Sequence, residues 1–235
     1  MADAFGWRTV FMGSAALMVG LTALLSRSLP VRRPSISHGY AELIGSLWTI
    51  WRTTPVLRQR AIYQAYLFAA FTLFWTTIPL QLASQPFGLS QTSIALFSLA
   101  GALGAVAAPI AGRLADNGWS RAATGACMVM VASALMLAAW GAKGSLAALV
   151  AASVLLDVGV QASLVIGQRA IYSLSPDQRS RFNGIYIAVF FAGGALGSAM
   201  ASLLFARGGG ELVSGVALLF PLIALAIYAN SWNDR

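Results

Sequence analysis

Seven long apolar runs, separated by short polar breaks, take up most of this sequence. They cover roughly residues 8–26, 61–83, 93–115, 121–140, 145–167, 182–205 and 212–230. Each is close to the ~20 residues that an α-helix needs to cross the hydrocarbon core of a bilayer. Because the runs are continuous and do not alternate in polarity, they predict helices and disfavour a β-barrel. We therefore expect an all-α, polytopic membrane helical bundle of about seven transmembrane helices.

The composition excludes an ordinary soluble domain. Charged residues make up 9% of the chain and hydrophobic residues 58%, whereas about 25% of a soluble domain is charged. This hydrophobicity also excludes intrinsic disorder. The net charge of +8 comes from basic residues in the breaks between runs, which is typical of membrane topology rather than of nucleic-acid binding. The expected partner is the lipid bilayer, and no nucleic acid is expected.

The distribution of basic residues predicts the orientation. If the N-terminus lies outside, the cytoplasmic segments hold 12 of the 15 basic residues, and only Arg8, Lys143 and Arg207 lie outside. Cytoplasmic loops of membrane proteins carry such an excess of arginine and lysine. The sequence therefore predicts an outside N-terminus and a cytoplasmic C-terminus.

Three segments follow from the runs and breaks. Residues 1–27 form a leading transmembrane helix, residues 28–60 a cytoplasmic linker, and residues 61–235 a six-helix bundle. Within the linker, Leu43, Leu47 and Trp48 give an amphipathic pattern from Tyr40 to Ile50. This pattern predicts an interfacial helix on the cytoplasmic side, and a plain linker is the alternative.

The chain lacks the residue patterns of common catalytic and metal centres. Cys127 is the only cysteine and His38 the only histidine, so a disulfide and a histidine or cysteine metal site are not expected. No HExxH, GxSxG or Walker pattern occurs, so we expect neither an enzyme nor a cofactor. The only lysine, Lys143, falls in a loop, which disfavours a retinal photoreceptor. A seven-helix ligand receptor stays open as an alternative.

The end of the third run carries a loop motif. It contains Gly112, Leu114, Ala115, Asp116 and, after the turn, Arg121. These residues resemble the G-x-L-A-D-R-x-G-R-R signature of the major facilitator superfamily, from which the sequence departs at positions 117, 119 and 120. Glycine here permits close helix packing. Asp116 could cap a helix or pair with an arginine, and so hold one conformation; a tight turn is the alternative. Arg169, at the end of the fifth run, could reach a carboxylate such as Asp116 or Asp177 and form a cytoplasmic gate; a role in membrane topology is the alternative.

Other segments resemble the same family in the same order. Residues 6–11 are similar to the start of its helix six, residues 174–184 to its loop from helix ten to eleven, and residues 193–198 to its glycine-rich helix eleven. Members have twelve helices in two halves with the site between the halves. This chain is similar to helix six plus the second half.

The resemblance implies a function. It implies a multi-pass protein of a bacterial-type inner membrane that exports a small organic solute, with protons as the coupling ion, as drug- and sugar-efflux members do. An N-terminal half or a second copy would then be needed as a partner. A non-transporting remnant is the alternative.

Asp157 is the first candidate site residue because it is the only acid deep within an apolar run. A charge at the bilayer centre costs about 2.5–3.5 kcal/mol on insertion scales, so such residues usually face a cavity or a partner. On a helix, Ser153, Gln161 and Gln168 fall on the same face as Asp157. This stripe predicts a cavity wall with Asp157 as a proton carrier or cation contact. A carboxylate satisfied by neighbouring helices is the structural alternative.

Two further runs carry candidates. The second run places Tyr63, Tyr66, Thr77 and Gln81 on one face, and the resemblance implies that this helix lines the central cavity; Trp75 lies deep enough to do so as well. The sixth run aligns Asn183 and Tyr186 with several small residues. For both runs ordinary packing is the alternative. The spacing of Gly193, Gly194 and Gly197 favours close helix packing.

Overall fold

The computed structural model describes residues 7–28, 39–102, 104 and 107–233. Throughout these residues the chain forms helices and turns, with no strand. The α-helices are α1 Trp7–Ser28, α2 Tyr40–Thr53, α3 Pro55–Ala83, α4 Gln91–Gly101, α5 Ala107–Asp116, α6 Ser120–Gly141, α7 Leu146–Tyr172 and α8 Arg179–Asn233. A 3₁₀ turn, Pro176–Gln178, precedes α8. His38, the start of the helix-six-like segment at Gly6, and most of the proline-containing linker fall outside the described residues.

The helices confirm the predicted all-α membrane bundle. Within the described ranges, five helical segments are long and apolar enough to cross a bilayer: α1, α3, α6, α7 and the segment that contains α8. Helix α8 is 55 residues long and is interrupted at Gly208 and Gly209. We call its two parts α8a (179–207) and α8b (210–233). At 1.5 Å per residue each part exceeds the ~30 Å of the hydrocarbon core.

The interruption in α8 depends on glycine at one position. Gly209 has φ +58° and ψ −158°, a backbone region that residues with a Cβ avoid. A residue with a side chain would therefore favour continuation of the helix, and the chain would not reverse here. The predicted break at residues 207–211 is thus a two-residue interruption rather than a loop.

The structure describes two helices within the third predicted run. Helix α4 has 11 residues and α5 has 10, or about 15 Å each, half of what a bilayer requires. Gly101 ends α4, and glycine costs about 1 kcal/mol relative to alanine inside a helix. Residues 103, 105 and 106 between them lie outside the described residues, so the continuous helix over 93–115 stays a prediction.

The chain divides into two compact units, Met1–Ile44 and Gly45–Arg235. Helix α1 belongs to the first unit. The second unit begins within α2 and contains all the later helices. The predicted boundaries at residues 27 and 60 stay a prediction.

Proline and serine residues at the N-termini explain where several helices of the second unit begin. Pro55 opens α3, where its missing N–H and fixed φ are tolerated. Ser90 and Ser145 cap α4 and α7, because their side-chain oxygens accept hydrogen bonds from the N–H groups of Ser93 and Ala148, each at 3.3 Å. These caps satisfy donors that a helix start otherwise leaves unpaired.

Helix α3 packs between the two parts of α8. On one side Gly193, Gly194 and Gly197 of α8a lie against α3, and Thr72 donates to the Gly194 carbonyl at 2.7 Å. On the other side Tyr66 packs against Phe220 of α8b, with ring centroids 6.4 Å apart. Lipid tails are as apolar as leucine, so close packing and interhelical hydrogen bonds stabilise these contacts more than hydrophobic transfer does.

The core of the second unit is continuous around α3. Its fully buried side chains include Leu67, Leu73, Met128, Leu135 and Leu156. A second cluster, with Leu57, Ile171 and Tyr186, lies at the end of the unit where α3 and α8 begin and α7 ends. We call this the arginine-rich end, because the following arginines lie on its helix ends: Arg60, Arg113, Arg121, Arg169, Arg179 and Arg181.

Candidate functional site

Asp157 is buried in the middle of α7, with 5% of its surface exposed. Its Oδ1 accepts a hydrogen bond of 3.0 Å from the Trp75 indole nitrogen of α3. Among the described residues the carboxylate has no ion pair. A buried carboxylate is thus held by a neutral donor, which compensates only part of the cost of removing a charge from water.

Two glycines bring the backbone of the third run against this carboxylate. A Cβ at Gly104 would lie 2.5 Å from the Asp157 Cβ, and a Cβ at Gly101 would overlap both Asp157 and Trp75. Three segments of the bundle therefore meet at one carboxylate. Aromatic rings surround the indole: the centroids of Phe74 and Phe97 lie 5.6 and 6.2 Å from that of Trp75.

Gln64 adds a second buried polar group to the interface of α3 and α7. It is 1% exposed, and its Nε2 donates to the Val160 carbonyl at 3.3 Å. Its Oε1 is buried without a hydrogen-bond partner. An unsatisfied buried acceptor costs about 1–3 kcal/mol, so this amide oxygen is suited to a donor that the protein itself does not supply.

The predicted stripe on α7 is divided between two places. Gln161 is half-buried one turn from Asp157. Gln168 lies 11 residues beyond Asp157, or about 16 Å along the helix, at the arginine-rich end. There the Asn183 Oδ1 accepts from Gln168 at 3.4 Å and from the Tyr172 hydroxyl at 2.7 Å. The structure therefore brings Gln168 and Asn183 together but separates them from Asp157.

The aromatic candidates of α3 face α8b. Tyr63 is 3% exposed, its hydroxyl lies 3.4 Å from the Ser231 Oγ, and its ring packs edge-on against Tyr228 at 6.2 Å. Tyr66 is half-buried against Phe220. These two tyrosines contact a different helix from the one that carries Asp157.

The remaining candidates, Thr77, Gln81 and Tyr186, are buried in contacts within the bundle. Thr77 is buried and donates to carbonyls of its own helix at 2.9 and 3.0 Å. Gln81 is buried against Gly210 at the far end of α3, where a Cβ would meet the amide. Tyr186 is fully buried, and Gly167 of α7 makes room for its hydroxyl, which donates to the Leu164 carbonyl at 3.5 Å.

The loop motif forms a charged contact at the arginine-rich end. Asp116 and Arg169 form an ion pair of 2.5 Å between α5 and α7. The guanidinium lies over Gly112, where a Cβ would come within 3.2 Å of it. Leu114 is exposed, and Ala115 half-buried. Arg121 donates to the Ser231 carbonyl at 3.4 Å, which links the motif to α8b.

The ion pair should contribute little to stability despite its short distance. Its side chains are 53% and 55% exposed, and exposed pairs contribute about 0.2–1 kcal/mol. We expect Asp116→Asn and Arg169→Gln each to lower the unfolding free energy by less than ~1 kcal/mol. A double-mutant cycle in detergent at low and high salt measures the coupling. A salt-independent coupling above ~2 kcal/mol would contradict this expectation, because it would mean a desolvated pair.

Sequence reasoning missed three polar side chains: Gln64, Arg60 and Ser120. Gln64 lies one residue from Tyr63 but on the face toward α7, and an amide inside an apolar run was its only signal. The Arg60 side chain donates to the Thr124 hydroxyl across α3 and α6. The Ser120 hydroxyl is buried without a partner at the start of α6.

Several membrane-crossing helices around a buried intramembrane carboxylate define the chain as a multi-pass membrane protein. The family model described as Major Facilitator Superfamily matches residues 1–125 and 62–232. The chain belongs to this superfamily, as the sequence motifs predict.

The similar proteins are bacterial. The chain is 36% identical over 233 residues to "Uncharacterized transporter YgaY" of Escherichia coli O157:H7, in a match that covers 99% of this chain and 58% of that protein. It is 34% identical over 239 residues to "Probable transporter SCO4007" of Streptomyces coelicolor, covering 96% of this chain and 53% of the relative. The chain thus spans little more than half the length of these relatives. No solved structure matches it at a significant level.

Proposed function

We propose that this chain forms one helical bundle of a secondary transporter that moves a small organic solute across a bacterial inner membrane. The observation that carries the proposal is the contact of the buried Asp157 carboxylate with the Trp75 indole, where three segments of the bundle meet. Membership of the family supports transport as the class of activity, and so do the names of the relatives.

Asp157 is the proposed proton or cation carrier. Its hydrogen-bond donor is neutral, so no fixed positive charge in contact holds the carboxylate ionised. A carboxyl in this setting can take up a proton, or it can contact a cationic group of the solute while the surrounding rings contact apolar parts. In this proposal proton uptake and solute release alternate at one group, which couples export to the proton gradient.

The polar groups near Asp157 are proposed to bind the solute. Gln64 supplies the unpartnered amide oxygen, and Gln161 lies one turn away on α7. A role in solute binding is proposed with less support for the other candidates, because each has packing contacts of its own. These residues are Tyr63, Tyr66, Thr77, Gln81, Gln168, Asn183 and Tyr186.

Alternating access needs a second bundle in this proposal. Transporters of this type bind solute between two bundles that rock about the site. A covalently linked half, a separate chain or a second copy could supply that bundle. We further propose that the arginine-rich end faces the cytoplasm, because basic residues are retained on that side.

Ethidium, a fluorescent organic cation, serves as the first transport probe. Everted membrane vesicles from an efflux-deficient bacterium that expresses the chain should accumulate ethidium when energised, and a protonophore should abolish the accumulation. Cross-linking in the same vesicles should detect the second bundle. Correct insertion and a detected second bundle, without movement of ethidium or of a panel of other small organic solutes, would contradict the proposal.

A further inference from the structure

A basic pocket opens at the arginine-rich end between α3, α5, α6, α7 and the start of α8. It has a volume of about 570 Å³, and Arg60, Arg169 and Arg179 line it together with Asp116. Asp116 pairs with Arg169, so the three arginines and one aspartate give the lining a net charge of +2. Such a pocket has the charge and the planar donors that suit a phosphate group.

The pocket also contains an unused hydrogen-bonding group. Ser120 lines it, and the hydroxyl of this residue is buried and has no partner. Ser120 is the first residue of α6, so the positive end of a 22-residue helix points to the same place. Arg60 is oriented by its bond to Thr124, one turn further along α6, and Arg179 by its Nε bond of 3.1 Å to the Tyr172 carbonyl.

An apolar groove lies next to this pocket, on the side toward the membrane interior. It has a volume of about 440 Å³ between α5, α6 and α7, and only apolar side chains and the Cys127 thiol line it. On each helix the lining passes from groove to pocket within one turn. Ala111, Ala123 and Ile166 line the groove. The corresponding residues that line the pocket are Ala115 on α5, Ser120 on α6 and Arg169 on α7. Residues three or four apart share a helix face, so the groove and the pocket lie next to each other along three helices.

We propose that this combined surface binds one anionic phospholipid, with an acyl chain in the groove and the phosphate at the three arginines. The charge of the pocket selects a phosphate, and the adjacent apolar groove selects a lipid over a soluble anion. Because α5 and α7 both contribute, the bound lipid fills the space between the helices that the Asp116–Arg169 pair joins. The lipid therefore stabilises this arrangement of the two helices.

The test uses the purified chain in a non-ionic detergent, with dioleoyl phosphatidylglycerol as the probe. Native mass spectrometry should detect one bound lipid and weaker binding of dioleoyl phosphatidylcholine. Arg179→Gln should weaken binding about fivefold, the effect of one basic residue near an anionic lipid surface. Arg181→Gln is the matched control, because it removes the same charge two residues away from a side chain that does not line the pocket.

A second pair of variants separates a lipid from a soluble phosphate. Ala126 lines the groove and is exposed, so Ala126→Leu should fill the groove and weaken lipid binding. Ala151→Leu, an exposed alanine of α7 outside the groove, should not. Bound phosphatidylglycerol should also slow alkylation of Cys127 by N-ethylmaleimide, and inorganic phosphate should not slow it.

Three results would overturn the proposal. Equal binding by the Arg179 and Arg181 variants would mean that the arginine pocket does not hold the lipid. Unchanged binding in Ala126→Leu, with unprotected Cys127, would mean that the groove is not occupied. Competition by inorganic phosphate at equal concentration would identify a soluble-anion site instead.

Discussion

Asp157→Asn should reduce proton-driven ethidium accumulation in everted vesicles to the level of vesicles without the protein. Asparagine has almost the same shape and its amide oxygen can still accept from Trp75, so the packing of α3, α4 and α7 is retained. It cannot take up or release a proton, and it cannot form an ion pair with a cationic solute. The variant thus removes the proposed chemistry and keeps the hydrogen bond of 3.0 Å.

The matched control is Asp177→Asn. Asp177 lies in the exposed 3₁₀ turn before α8, and its loss should leave accumulation unchanged. Melting temperatures of both variants in detergent show whether the Asp157 variant folds. Full proton-driven accumulation by Asp157→Asn would exclude Asp157 as the proton carrier. Asp157→Glu, which restores the carboxyl, should recover part of the activity.

Gly197→Ala should cause the largest loss of stability. A Cβ at Gly197 would overlap the Ala69 carbonyl oxygen and meet the Thr72 hydroxyl. Both neighbours belong to α3, and the first is backbone, which cannot rotate away. The helices must therefore separate, and overpacking of this kind costs about 1–3 kcal/mol. Separation would also lengthen the hydrogen bond from Thr72 to the Gly194 carbonyl.

Gly215→Ala tests the same substitution where there is space. Gly215 lies on α8b, is exposed, and has no atom within 4 Å of the position of a Cβ. Alanine there should be neutral or stabilising by up to ~1 kcal/mol, because it favours the helix. Melting temperatures in detergent compare the two variants. Equal stability would mean that α3 and α8a do not approach as closely as described.

The burial of Asp157 was predictable, but its partner was not. A single acid inside an apolar run is visible in the sequence, because the cost of its burial is a property of that residue. Trp75 lies 82 residues away on another helix. Only the packing of α3 against α7 decides which of the many aromatic residues reaches the carboxylate.

The candidates on α3 show a limit of helical periodicity. The spacing of Tyr63, Tyr66 and Gln81 predicts that they share a face, and they do lie along one side of α3. A central helix has neighbours on every side, however, and periodicity cannot tell which neighbour a face meets. Here this face meets α8b, whereas the adjacent face, with Gln64 and Trp75, meets α7.

The charged loop was predictable for a different reason. Asp116 and Arg169 lie at the ends of the third and fifth apolar runs, and alternate runs end on the same side of a membrane, so topology places both residues at one end of the bundle. The order of the runs thus indicates such contacts at the helix ends. It carries no such information about contacts within the membrane, where Asp157 and Gln64 find their partners.

The position of α3 between the two parts of α8 has a consequence for biosynthesis. Tyr63 contacts Ser231 across 168 residues, and Arg121 contacts the same residue across 110. Translation delivers α3 to the membrane long before the segment that covers one of its sides. Until then Tyr63 and Gln81 face lipid or the insertion machinery, and cotranslational insertion of the early helices precedes their assembly. Release of the nascent chain within α8 would therefore leave an open bundle, a natural substrate for membrane quality-control proteases.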